Sequence, residues 1–184
     1  MWSLPHNEAT VPSQLPGLPA GYLPPAPGDP QVLSLAWDAL RFPGMRHSIP
    51  AAAAQVPGLY PATAALCRAL MHAGQTLWID QPAHSLLHQW CRHHTKARLV
   101  AAPDAVDFTL VTTPSLLPSL YHFNIGDGAN PATATTLLIQ VPGLQRRGEL
   151  HWHSDSANAI TPDWIQGLPP TFWHQREELQ EMLP

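Results

Sequence analysis

Charge is scarce in this chain. Asp, Glu, Lys and Arg together make up 12% of its 184 residues, about half the quarter usual in soluble domains. Lys96 is the only lysine among nine Lys and Arg residues, and the formal net charge is −4. No basic stripe is left to track a phosphate backbone, which argues against nucleic acid as a partner. No apolar run approaches the roughly eighteen residues of a membrane-spanning helix. The N-terminus lacks the basic-then-apolar order of a secretory leader, so the expected location is cytoplasmic. Cysteine is scarce too. Cys67 and Cys91 are too few for a disulfide framework, carry no CxxC spacing, and read as reduced, buried thiols within helices.

Several catalytic signatures are missing as well. The chain has no GxxxxGK[ST] phosphate loop, no GxGxxG dinucleotide fingerprint and no GxSxG nucleophile elbow. Gly126-Asp127-Gly128 begins like a glycine-rich loop, but a turn before the next strand accounts for it equally well. Lys96 could form a Schiff base in principle; after His93-His94-Thr95 it reads more simply as a solvated cation at a helix C-terminus. No cofactor is expected.

What the chain does have is 22 prolines, seven tryptophans and 45% hydrophobic residues. Pro5, Pro12, Pro16, Pro19, Pro24, Pro25 and Pro27 predict a disordered arm over residues 1–29, because each fixes φ and removes a backbone donor. One ordered domain is expected over 30–184. A charge-poor, tryptophan-rich surface suits a protein that buries area against a partner.

Asp29 as cap and Pro30 at the first helical position predict a helix with Val32, Leu33, Ala36, Ala39 and Leu40 on its apolar face, stopped by Pro43-Gly44. A second helix is predicted from Pro61 through Leu70, closing near Gly74. A third runs from Pro82 to His94 with Leu86, Leu87, Trp90 and Cys91 inward, and a last one from Pro170 to Leu183. Strands are expected at 76–80, 99–101, 106–112 and 148–154, and at 135–141 as an apolar run buried on both faces. This alternation predicts a three-layer α/β/α domain with a mostly parallel or mixed sheet.

Two histidine clusters could hold a metal. His84 and His88 are four apart in the third helix with His93 beyond; His151 and His153 alternate along a strand with Asp155 in phase. Surface or capping histidines explain both clusters as simply, and neither has the carboxylate base of an HExxH set. The expected metal complement is therefore none. Arg68, Arg92, Arg98 and His94 gather scarce cations where a phosphate or phosphonate could bind. No catalytic set is evident.

Five segments, in order, carry a resemblance: QVLSLAWDALRFPG (31–44), LCRALMHAGQTLWID (66–80), HHTKARLVAAPDAVDFTLV (93–111), GDGANPATATTLLIQV (126–141) and GLPPTFWHQREELQEMLP (167–184). Together they resemble the PhnH family of the bacterial carbon–phosphorus lyase system. The resemblance implies a fold like the large domain of pyridoxal-phosphate-dependent transferases, without that cofactor. It also implies a homodimer or a subunit bound to the other carbon–phosphorus lyase core subunits. That complex makes a ribose 1-phosphonate 5-triphosphate from an alkylphosphonate and ATP, and this subunit's part would be accessory. Two departures stand out. ELHWHSDSANAI (149–160) lacks the family's Gly-Pro-Gly-Ile turn, and the chain stops at Pro184 where the family continues, so a divergent, C-terminally short member is expected.

Overall fold

A computed structural model describes residues 29–42, 45–49, 57–126, 133–145 and 164–182. The Pro-rich segment before Asp29, the strand expected at 148–154 and the His151/His153/Asp155 cluster lie outside these residues.

Helix α1 spans Pro30–Arg41, and the Asp29 carboxylate accepts a bond from the Gln31 amide. Val32 and Ala36 are its buried residues; Leu33 is half-buried, while Ala39 and Leu40 face out. The apolar stripe is therefore narrower than its spacing suggests. α2, Pro61–Leu70, buries Ala64, Cys67 and Ala69. After it, Gly74 turns the chain at φ +94 into strand β1, Thr76–Ile79. That left-handed conformation carries little penalty for glycine alone.

α3 begins later than proline placement implies. Ser85 is the cap, its Oγ accepting from the His88 amide, and the helix covers Leu86–His94. Pro82 instead opens the preceding turn, where its carbonyl accepts from the Ser85 amide at 2.8 Å. Leu86 is 61% exposed, contrary to its expected inward position; Leu87, His88 and Cys91 form the buried face. Then follow β2 (Arg98–Leu99), β3 (Phe108–Val111), two short 3-10 turns (Pro114–Leu116 and Leu120–His122), β4 (Thr136–Ile139), β5 (Leu144–Gln145), β6 (Trp164–Ile165) and α4 (Phe172–Glu181).

β1 to β4 form one sheet in the order β2-β1-β3-β4, and every pairing is parallel. Among the described residues the sheet is thus parallel, and the antiparallel pair, β5 with β6, is separate from the four strands. The burial expected of β4 belongs to β3. All four residues of β3 are buried, whereas those of β4 are half-buried, because β4 ends the four-strand order. Both are short apolar runs, and only the order of pairing separates them.

Helices cover both faces. On one, Leu77, Ile79, Phe108 and Leu110 pack with Ala64, Cys67 and Met71 from the α2 side and Leu87 and Cys91 from α3. On the other, Val111 packs with Leu117, Leu120 and Phe123, joined by Trp78, Leu137 and Ile139 of the sheet and Phe172 and Leu179 of α4. Strand alternation puts Leu77 and Ile79 on one face and Trp78 on the other, which fixes the register between the layers. The fold is α/β with three layers.

Candidate functional site

The strand order gives the sheet a preferred place for a ligand. From β1 the chain passes through α3 to β2 on one side; from β3 it passes through the two 3-10 turns to β4 on the other. The order thus reverses between β1 and β3, and in open α/β sheets ligands lodge at such a reversal, outside the carboxyl ends of the strands.

Here the reversal point is filled by the chain's own hydrogen bonds. Asp80 follows β1, and its Oδ2 accepts the Thr112 amide at 2.8 Å and the Thr113 amide at 2.7 Å. Its Oδ1 accepts the Thr112 hydroxyl at 2.9 Å, and Gln81 Nε2 donates to that same Thr112 oxygen at 2.7 Å. A carboxylate fixed at this point repels a phosphate group instead of cradling it.

Nearby, Gln140 follows β4 and is buried; its Oε1 accepts the Tyr60 amide at 2.7 Å and its Nε2 donates to the Gly58 carbonyl at 2.7 Å. These bonds seat the start of α2 on the same edge. Tyr60, Leu86, Leu116 and Leu144 all fall at this carboxyl edge, and each is at least 43% exposed. The edge is closed at its centre and apolar around its rim.

Sequence reasoning passed over Asp80, Thr112, Thr113 and Gln140. The only local signal was an acid directly after a short apolar strand, since the partners lie 31–33 residues away for Asp80 and Gln81, and 80–82 away for Gln140.

The opposite edge, where the strands begin, holds the cations. α2 and α3 both end there, with Arg68 in the last turn of one and Arg92, His93 and His94 in the last turn of the other. Arg98 opens β2 and is register partner to Thr76, the first residue of β1. The structure thus brings Arg68, Arg92, His94 and Arg98 to one edge, as the sequence grouping has them. His94 stacks on Trp90 at 4.7 Å and meets His93 edge-on at 4.9 Å. Desolvation, then neighbouring His93 and Arg68, lower its pKa. Lys96 is exposed in a left-handed turn at φ +58 just past α3.

The histidine trio does not assemble. His84 precedes the Ser85 cap, so its four-residue spacing to His88 is not helical. His88 is 5% exposed with Nδ1 at 3.1 Å from Ser85 Oγ, while His84 and His93 are exposed. Among the described residues no group of three or more His, Cys, Asp or Glu is placed to hold a metal ion. Burial pushes the Cys91 thiol up to about 12 and the Cys67 thiol higher still, which keeps both protonated and unreactive at neutral pH.

The family model for the bacterial phosphonate metabolism protein PhnH matches residues 22–184. The chain belongs to the PhnH family. No curated protein matches it significantly. PhnH membership places the chain in bacterial phosphonate metabolism and accounts for the five ordered segments, each of which includes an element now described: α1, α2 with β1, the run from the end of α3 to β3, β4, and α4. No helix among the described residues is long and apolar enough to cross a membrane.

Proposed function

We propose that this PhnH-family chain is an accessory, non-catalytic subunit of the carbon–phosphorus lyase core complex, the assembly that joins an alkylphosphonate to the ribose triphosphate of ATP with loss of adenine. The observation that carries the accessory part is the Asp80 clasp. An α/β enzyme holds its ligand at the reversal point, and here that point is occupied by Asp80, Gln81, Thr112 and Thr113 bonding to one another. The exposed rim of Tyr60, Leu86, Leu116 and Leu144 supports a role in contact with other proteins. A parallel sheet with helices on both faces is also in keeping with kinship to the large domain of pyridoxal-phosphate-dependent transferases. Lys96, the only lysine, belongs to the edge opposite the reversal point, away from where such a cofactor would lie.

The test is co-expression of the tagged full chain with the other core subunits, followed by affinity capture and native mass measurement. A stoichiometric assembly, with no turnover by the isolated chain, is the expected result. A homodimer that captures no core subunit would replace this reading with a self-associating scaffold. Stoichiometric zinc, iron or manganese in the purified chain, together with activity on its own, would replace it with an independent metal enzyme.

A further inference from the structure

The two edges of the sheet differ most in charge. The stretch 61–103 contains one acidic residue, Asp80, and four of the chain's nine Lys and Arg: Arg68, Arg92, Lys96 and Arg98. Topology sends them to opposite edges, the acid to the carboxyl ends of the strands and the cations to the amino ends.

The cations follow a repeated pattern. Cys67, Cys91 and Ala97 are buried members of one core cluster, and each is followed directly by an exposed arginine: Arg68, Arg92 and Arg98. Three small buried residues thus anchor three solvent-facing guanidinium groups around one patch of core. His93, His94 and Lys96 lie between them, all exposed. Arg68 of α2 is near enough to His94 of α3 to act on its titration.

No carboxylate among the described residues pairs with these cations. Among the described residues Arg68, Arg92, Lys96 and Arg98 form no ion pair; the His174–Glu178 pair at 3.4 Å belongs to α4. Asp107 does lie on this edge, but a single oxygen of it, Oδ2, accepts both the amide and the hydroxyl of Thr76 at 2.7 Å. Cations in the last turn of a helix gain about 0.3–1 kcal/mol from the helix dipole. That explains Arg68 and Arg92 one by one. It does not explain Lys96 and Arg98, which lie beyond the helices, nor why a chain of net charge −4 sets four cations on an edge whose acid, Asp107, is bonded to Thr76 and to none of them.

We propose that this amino edge of the sheet is a docking face for a carboxylate-rich protein surface. A small phosphate would need donors converging in a recess. Here the cations stand exposed along an open edge drawn from two helix ends and a strand start, a spread that matches several carboxylates on a facing protein. Calling that protein a sister core subunit rests on the proposed function; the acidic chemistry of the contact does not.

The experiment titrates the full chain with poly-L-glutamate as the acidic probe. Binding weakens by about tenfold or more between roughly 50 and 300 mM salt, as exposed charge contacts do. The triple variant Arg68→Glu/Arg92→Glu/Arg98→Glu loses binding by a further tenfold or so, while Arg41→Glu, on α1 and outside this group of cations, leaves it unchanged. A milder Arg→Gln triple, required to melt like the parent, guards against a charge-reversed chain that does not fold. Binding unaffected by either triple overturns the proposal. So does tight one-to-one binding of tripolyphosphate, lost in the triples, with none of poly-L-glutamate, for that would make the edge a small-phosphate site. Capture of the core subunits gives a separate arm. Capture that survives the triples overturns the docking face and leaves the subunit reading intact. No capture by the parent, with poly-L-glutamate binding that the triples abolish, sinks the subunit reading and keeps the face.

Discussion

The pairing of β1 with β3 is fastened at both ends by an aspartate bonding to threonine, and the two fastenings are unequal. At the carboxyl end Asp80 accepts three donors, two of them backbone amides, in a half-buried setting. At the amino end exposed Asp107 accepts the Thr76 amide and hydroxyl, and its own amide donates back to Thr76 Oγ1 at 2.9 Å. Water can replace the second set more readily than the first. The edge where an α/β enzyme would be open for a ligand is therefore the more firmly closed, and the edge with no such tradition carries the exposed charge.

Unequal fastening predicts unequal losses. Asp80→Ala leaves two amides and a hydroxyl without their acceptor and should cost about 3 kcal/mol, within the range for several stranded donors. Asp107→Ala should cost about 1 kcal/mol, since its donors can turn to solvent. Urea unfolding of both variants measures the contrast, and equal losses would dissolve the distinction between the edges.

Between the fastenings the pair is held by packing, with one flaw. Thr109, at the centre of β3, is fully buried, and its Oγ1 has no hydrogen-bond partner among the described residues. Thr109→Val keeps the shape and removes a desolvated hydroxyl, so stability should rise by about 1 kcal/mol. A fall of similar size would reveal that the hydroxyl has a partner and that the middle of the strand pair is fastened too.

Features set by neighbours in the sequence were legible; features set by pairing were not. The Asp29 cap with Pro30, and the start of α2 at Pro61, could be read because caps and prolines act within one turn; the end of α2 at Leu70 falls short of the expected Gly74 stop. The same logic misplaced the start of α3, where Pro82 and Ser85 both carry start signals and only the Ser85 oxygen meets the His88 amide. β3 and β4 are alike in composition, so which is central could not be known before the order β2-β1-β3-β4. The arginine group was visible because Arg92 and Arg98 are six residues apart and Arg68 ends the preceding helix. Asp80 was invisible as a site because its three donors lie a full crossover away.

His88 offers the subtlest probe of the closed edge, since it sits in the first turn of α3 beside the Ser85 cap. Desolvation lowers its pKa below the ordinary 6.5, and Arg92 and His84 push the same way. Below pH 6.5 the unfolded chain therefore takes up a proton at this position more readily than the folded one. The stability owed to neutral His88 is complete above pH 6.5 and is lost as pH falls toward the lowered folded value. Exposed His94 shifts in the same direction, but solvent screens it, so its share of the loss should be smaller. His88→Gln removes the titrating ring while leaving the Ser85 Oγ cap on the residue-88 amide available. Between pH 7 and pH 5 the parent should lose stability more steeply than this variant when thermal melting is followed in matched salt. Parallel slopes would assign the acid loss to other groups and leave the α3 start insensitive to pH.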